Sequence, residues 1–507
     1  MMQLSQAAQV LGARMMGGDV EFHAVSTDTR KLQKGDLYVA LRGEHFDGAD
    51  FVAQAMQGGA AAVLMNADSY VERTSILNPD ETTSQSTSQA KNASQVAGYH
   101  SPILLVQDTR LALGQLAAYW RKQFDIPVVA ITGSNGKTTV KEMTASILRM
   151  AAGRDDAVLS TLGNLNNDIG MPLTLLRLNA QHRYAVIEMG MNHPGEIDYL
   201  TRIASAQVAL ITNASGAHLE GMGTVEAVAR AKGEIFEGLQ PGGSAIINAD
   251  DEYAALWRSL AGVHSLLEFG LSNEADVSGT WHPHMDGLRL AVQTPKGDFT
   301  VIMQVPGEHN ARNALAATAV AIALNLSLES IVAGLERFSG VAGRMQRKQA
   351  RGGAVVIDDT YNANPASMHA AIKVLAQSIG KRVLVLGDMG ELGDAAAVFH
   401  AEIGRAAKEA GIEKLYALGE LSRIAVREFG SSARHFEHVE DLQSELEKEL
   451  NASTTVLVKG SRFMKMERVV SHCVDTGKGE GSREKGGAGA GFSPSLFPLS
   501  SSQEKKE

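Results

Sequence analysis

A chain of 507 residues is too long for one hydrophobic core, and its length points to about three domains. Its residues are 44% hydrophobic and 21% charged, with 51 glycines, a globular balance that excludes a fibre. The net charge of -10 comes without a basic stripe, which excludes nucleic-acid binding, and a single cysteine, Cys473, excludes an internal disulfide framework.

In chain order, residues 1–108 mix short apolar runs, "DLYVALRG" and "AAAVLM", with turns, as a small α/β domain would. Residues 67–99 interrupt it with a polar insert whose Ser, Thr, Gln and Asn have nothing to bury, so a mobile surface loop is expected there. Residues 109–343 alternate continuous apolar strands ("IPVVAITG", "YAVIEMG", "VALITNAS", "GSAIINAD") with helical patterns, which predicts a parallel sheet covered on both faces. Residues 344–474 repeat the alternation ("GAVVIDDTY", "KRVLVLGDMG", "KLYALGE", "TTVLVKGS") and predict a smaller, Rossmann-like doubly wound domain. The tail, 475–507, is rich in Gly, Ser, Lys and Glu and is expected to be disordered. No uncharged apolar stretch reaches membrane-spanning length and no secretion signal opens the chain, so a cytoplasmic protein without membrane insertion is expected.

The chemistry gathers at the strand ends. "ITGSNGKTT" follows a strand and opens a helix, so the backbone of Gly133, Ser134, Asn135 and Gly136 can cradle phosphates. Lys137 would meet the outer phosphates, and Thr138 and Thr139 would open the helix, with the Thr138 hydroxyl offered to Mg²⁺. The first glycine of the usual G-x-x-x-x-G-K-[ST] pattern would fall at Ile131, which argues against a GTPase or a standard P-loop ATPase. Glu188 ends the strand "YAVIE", where it is either a metal ligand or an exposed strand-end acid. His218 follows "VALITNAS", and a lone loop histidine there is an ordinary surface residue unless it has company. In "TVEAVARAKGEIFEGL" the apolar Val225, Val228, Ala229, Ile235 and Phe236 form one stripe, and Lys232 falls on the same face. A lysine there either snorkels to water or is buried with a lowered pKa, and a neutral amine can add CO₂ to become a carbamate, a carboxylate-like metal ligand.

"TGSNGKTT", "GNLNNDIGMPLTLL", "IEMGMNHPGEI", "NASGAHLEGMG" with "AKGEIF", "PGEHNARNALAA", "GVAGRM" and "VVIDDTYNANPASM", after an N-terminal "STDTRKLQKGDLYVALRGEHFDGADF", resemble in order and spacing the Mur ligases, ATP-dependent amide-forming enzymes of peptidoglycan precursor synthesis. The likeness runs from about Gly18 to Val470. It implies three α/β domains: an N-terminal UDP-binding domain, a central ATPase domain and a C-terminal Rossmann-like domain. "DDTYNANPASM", "VLGDMGELG" and "VLVKGSRFMKME" most resemble the dipeptide-adding branch, and the Asp-Asn-Pro-Arg segment of the diaminopimelate-adding branch is not found. The implied substrates are ATP, UDP-N-acetylmuramoyl-tripeptide and D-alanyl-D-alanine, joined through an acyl phosphate by a monomer.

By resemblance Thr138, Glu188, His218 and carbamylated Lys232 would hold two Mg²⁺ ions, and Lys137, His218 and Lys232 would be catalytic. Asn310 and Asn313 resemble adenine contacts, and Arg344, Asp359, Tyr361 and Asn364 resemble ATP-facing residues of the last domain. Thr29, Arg30, Gly43 and Asp47 would meet the uridine nucleotide, Asn164, Asn166 and Asn167 the sugar peptide, and Asp388, Glu391, Lys459 and Arg462 the zwitterionic dipeptide. The alternatives are another amide ligase of the family, adding diaminopimelate or lysine, a folylpolyglutamate synthase, which lacks such a UDP-binding domain, or a P-loop ATPase that makes no bond.

Overall fold

The computed structural model describes residues 1–43, 46–75, 101–216, 219–285 and 287–474. The expected disordered tail, most of the polar insert and His218 lie outside the described residues.

The first sheet has five strands in the order Arg14–Met16, Ile103–Val106, Ala62–Asn66, Leu37–Val39, Val25–Ser26. Only the first pair is antiparallel. The insert does not begin where its composition suggested: Ala67–Ser75 is helical, with Ser69 buried and Arg73 ion-paired to Asp47 and Asp50. A helix that can bury one small face and pair its arginine overrides a polar composition. Helix α1 (Thr109–Arg121) starts at Asp108, whose carboxylate accepts from the Arg110 and Leu111 amides as an N-cap. Its buried Arg121 donates to the Ala204 and Phe124 carbonyls, tying the first sheet's helices to the central ones.

The central sheet has nine strands. Its heart is β1 (Val128–Thr132), flanked by β2 (Tyr184–Glu188) and β3 (Ala206–Ile211), all parallel and buried on both faces. The expectation of an all-parallel sheet fails at one edge, where Gly287–Gln293 and Phe299–Met303 join antiparallel as a meander. Their alternation of buried and exposed residues marks a sheet edge with one wet face. Helix α2 (Lys137–Ala152) follows β1, α3 (Val225–Gly233) follows β3, and α4 (Glu308–Ala323) packs against α2. The alanine-rich α4 is buried from Ala314 to Ala321, which lets it lie close under the sheet.

The third sheet has six strands, led by β4 (Val355–Asp359) and β5 (Thr454–Lys459), in parallel register. Gln346–Gln349 pairs antiparallel at its edge. Helix α5 (Pro365–Ala376) follows β4 through a capping box in which Asn364 and Ser367 satisfy each other's backbone. One hydrophobic cluster joins the first sheet to one face of the central sheet, a second fills the other central face, and two cover the third sheet.

Candidate functional site

Between β1 and α2 the chain turns within four residues. Gly133 (φ 147°) and Gly136 (φ 84°) both take positive φ, and both are hemmed in. A Cβ on Gly133 would lie 1.8 Å from Thr212 Oγ1, and one on Gly136 2.6 Å from Asn313 Oδ1. The end of β3 holds the loop in shape: Asn213 accepts the Asn135 amide at 3.0 Å, and the Thr212 hydroxyl donates to the Asn135 carbonyl at 2.6 Å. The glycine missing at Ile131 has a physical reason. Ile131 is still inside β1, paired with Glu188 and Leu210 and fully buried, so the turn begins only at Gly133.

Lys137 Nζ folds back to donate to the Gly133 carbonyl at 2.6 Å and the Ser134 carbonyl at 3.3 Å. Burial lowers its pKa, Glu188 and Glu391 pull it up, and Arg344 pushes it down. Glu188 is 2% exposed at the end of β2. Its amide donates to Thr161 Oγ1 at 2.9 Å, and Asn166 Nδ2 donates to its Oε1 at 2.8 Å. Its Oε2 is buried with no partner among the described residues. A buried carboxylate oxygen left open beside a phosphate loop is the donor a hard divalent cation takes, so the site fits Mg²⁺.

Lys232 is 1% exposed, which rules out snorkelling, and Val228, Ala229, Ile235 and Phe236 of its stripe are buried with it. Burial drives its pKa well below the ordinary lysine value, and the charge of Lys137 lowers it further. It lies behind the walls of the main cavity rather than in them. Among the described residues no three His, Cys, Asp or Glu side chains gather as a metal cluster.

The loop opens into a cavity of about 1670 Å³ walled by all three parts of the chain. Gly136, Lys137, Thr138, Thr139, Asn310 and Asn313 line it on the central side. Asn310 is buried, donating to the Pro306 carbonyl at 2.8 Å. From the third sheet's side Arg344 Nη2 donates to Thr138 Oγ1 at 2.9 Å, and its guanidinium lies 4.2 Å from the Tyr361 ring centroid. Asn364 Nδ2 donates to Asn135 Oδ1 at 2.8 Å, so the two sheets meet directly over the loop.

Other expected residues sit differently. Asp359 and Lys459, assigned to different ligands, pair with each other at 2.6 Å, and Asp359 also accepts the Met345 amide at 3.1 Å. Asp388 is not a cavity residue: its carboxylate accepts the Ser422 and Leu421 amides and the Ser422 hydroxyl, tying down the start of a helix. Glu391 and Arg462 do line the cavity, the latter paired with Glu467. Asn164, Asn166 and Asn167 line it as well, Asn166 beside Glu188. Thr29, Arg30, Gly43 and Asp47 lie on the first sheet's loops, outside its walls; Arg30 pairs with Asp28, and Asp47 accepts from Ser69 and Arg73.

Sequence reasoning missed Asp250, Arg312 and His309, which also line the cavity. Asp250 accepts the Leu271, Ser272 and Asn273 amides and faces Arg312 at 3.5 Å. Burial pushes His309 down to about 4. The signal available for Asp250 was its place at the end of "GSAIINAD", just past the last strand residue Asn248.

A glycine-turned loop at a helix N-terminus, faced by a buried carboxylate and closed over by a second doubly wound sheet, defines a three-domain nucleotide-binding α/β enzyme. The model of the Mur ligase family catalytic domain matches residues 21–121, that of the Mur ligase middle domain 131–321, and that of the glutamate ligase domain 343–462. The chain belongs to the Mur ligase family. It is 41% identical over 478 residues to the UDP-N-acetylmuramoyl-tripeptide--D-alanyl-D-alanine ligase of Escherichia coli (strain K12), covering 94% of this chain and 98% of that one. Among solved structures, the UDP-N-acetylmuramoylalanyl-D-glutamyl-2,6-diaminopimelate--D-alanyl-D-alanyl ligase from Acinetobacter baumannii superposes with a TM-score of 0.77 at 36% identity, over 92% of this chain and 97% of that one. The MurF ligase from Thermotoga maritima in complex with ADP gives 0.73 at 25%, over 89% and 96%.

Proposed function

We propose that the protein is an ATP-dependent ligase that adds D-alanyl-D-alanine to UDP-N-acetylmuramoyl-tripeptide, giving ADP, phosphate and UDP-N-acetylmuramoyl-pentapeptide for peptidoglycan synthesis. The tripeptide's terminal carboxylate attacks the γ-phosphorus of ATP, ADP leaves, and an acyl phosphate forms. The dipeptide's free amine then attacks the acyl carbon, and phosphate leaves as the amide forms.

The observation that carries the mechanism is the Gly133–Thr139 loop set against Glu188, whose Oε2 is open, with Arg344 reaching over from the third sheet. The loop amides and the α2 N-terminus bind the phosphates. Lys137 exchanges its two loop carbonyls for the outer phosphates, where its charge counters what builds up in phosphoryl transfer. Arg344 leaves Thr138 for the γ-phosphate, freeing the Thr138 hydroxyl. Thr138, Glu188, His218 and a carbamate on Lys232 would hold Mg²⁺, which would supply positive charge to neutralise the phosphates. The carbamate forms as the neutral Lys232 amine adds to CO₂ and loses a proton. Asn310 and Asn313 contact the adenine, and Tyr361, Asn364 and Asp359 shape the closing wall. The acceptor lies along Asn164, Asn166 and Asn167, with its uridine end at Thr29, Arg30, Gly43 and Asp47. Glu391 and Arg462 answer the two charges of the dipeptide, while Lys459 holds Asp359. No described helix is long and apolar enough to cross a membrane, and ATP and a UDP-linked acceptor suit work in the cytoplasm.

The test is phosphate release with the UDP-linked tripeptide and D-alanyl-D-alanine, meso-diaminopimelate or L-lysine in turn. Stimulation by the dipeptide alone is expected. Stimulation by a single amino acid, or turnover with no amine, would overturn the assignment.

A further inference from the structure

The cavity has a charged corner that the reaction above does not use. Arg110, in the first turn of α1, sends Nε (2.9 Å) and Nη2 to the same Asp168 oxygen, Oδ2. Both side chains keep access to the cavity, at 50% and 31% exposure, and both line it. Asp168 is two residues beyond Asn166, which holds Glu188 at 2.8 Å. Two residues span at most about 7 Å along the chain, and Arg110, Asn166, Asp168 and Glu188 all line the one cavity, so the pair shares a wall with the acid beside which the acceptor carboxylate must react. Extended, the seven-carbon skeleton of diaminopimelate separates its two carboxyl carbons by about 7.5 Å.

We infer that Arg110 and Asp168 form the subsite that reads the far end of the acceptor's third residue and selects a zwitterionic, diaminopimelate-type side chain over a lysine. The inference rests on the ligase reading given above. A zwitterion entering between the two replaces one ion pair with two, its carboxylate taking the Arg110 fork and its ammonium taking Asp168. A lysine terminus brings only an ammonium. It can share Asp168 through the oxygen that Arg110 does not use, but it brings no carboxylate for the Arg110 fork and sets a like charge beside it, so the site favours the zwitterion. The other anionic groups nearby are committed, Asp108 to the N-cap of α1 and Glu196 to the Asn192 and His193 amides, so Asp168 is the acid placed to answer an ammonium. The corner is rigid on one side, because a Cβ on Gly114 of α1 would lie 2.0 Å from the Tyr199 hydroxyl, a cavity residue packed onto that helix.

The experiment compares UDP-linked tripeptides ending in meso-diaminopimelate and in L-lysine, with wild type, Arg110→Ala and Asp168→Asn. The steady-state readout is the ratio of kcat/KM for the two acceptors, and calorimetry gives their Kd. Wild type is expected to favour the diaminopimelate acceptor, and Arg110→Ala to lower that ratio at least about tenfold, through KM rather than kcat. Arg110→Lys, which keeps the charge but not the fork, should recover part of it. Equal loss on both acceptors, a loss confined to kcat, or equal wild-type Kd values would overturn the inference. Should Arg110→Ala not fold, Asp168→Asn carries the same ratio test. A wild type that binds both acceptors but adds no dipeptide to either refutes the ligase reading alone, and the Kd ratio still decides this one.

Discussion

Replacing Arg344 by alanine tests whether the third sheet is held over the phosphate loop by the contacts described above. The substitution removes a charged hydrogen bond to Thr138 (2.9 Å) and a stacked contact on Tyr361 (4.2 Å), and leaves Asn364–Asn135 (2.8 Å) as a neutral link across the loop. A hydrogen bond from a charged group is worth about 1.5–3 kcal/mol and a partly exposed cation–π contact about 0.5–1 kcal/mol. Thr138 regains water when the cleft opens, so the low end, about 2 kcal/mol, is the working figure. That is roughly a 30-fold shift from closed towards open. Small-angle scattering of the ligand-free protein should show a larger radius of gyration for Arg344→Ala, and the KM for ATP should rise as closure must be driven by the nucleotide. The Arg344 Nε, buried and with no partner among the described residues, predicts that lysine will not substitute, since only the guanidinium can satisfy a phosphate and stack on Tyr361 together. An Arg344→Ala protein with wild-type scattering and an unchanged KM for ATP would refute the latch.

Glu188→Gln should reduce turnover by at least about 100-fold and weaken ADP binding only when Mg²⁺ is present, because the amide keeps the Asn166 contact but not the charge; equal ADP affinity with and without the ion would count against a metal role. Lys459→Met should destabilise the fold by about 3–5 kcal/mol, read as a lower urea midpoint, since it leaves Asp359 buried without its cation; restoration in Lys459→Met with Asp359→Asn would show that the loss belongs to the pair. Lys232→Ala should be inactive and regain activity with short-chain carboxylic acids, whereas full activity without them would exclude the carbamate.

How much of this site was legible in the sequence depended on what each residue's signal was made of. Lys137 and Glu188 were readable because strand, loop and helix are local patterns, and a strand's end fixes where its last side chain points. Lys232 was readable as an anomaly, a lysine on an apolar stripe, but its burial is a tertiary fact: Val228 and Ala229 of its helix share one core with Ile235, Phe236 and Trp257. Asp388 misled because position at a strand end does not reveal a helix start elsewhere, and the Ser422 helix spends that carboxylate. Asp359 and Lys459 lie 100 residues apart, and only the parallel register of β4 beside β5 brings them opposite one another. The antiparallel edge of the central sheet was missed for a similar reason: strand direction is set by what each strand pairs with.

Lys232 also makes stability and catalysis pull apart in a way that pH exposes. Its folded pKa lies well below the ordinary lysine value of 10.5, so between those two values the unfolded chain carries a proton that the folded chain does not. The lysine's contribution to stability is therefore complete only above the ordinary lysine pKa and is lost as pH falls towards the folded one. Lys232→Met fills the same buried space without a proton to shed, so at neutral pH without CO₂ it should melt at a higher temperature than wild type. The difference should narrow as pH is raised from 7 towards 10. CO₂ should narrow it too in wild type at neutral pH, because a carbamate held by a metal draws the amine out of its unfavourable state, and it should do nothing to the variant. A gap that stays constant across that pH range would mean that the buried amine is paired, and that neither its proton nor its reactivity is what the fold has tuned.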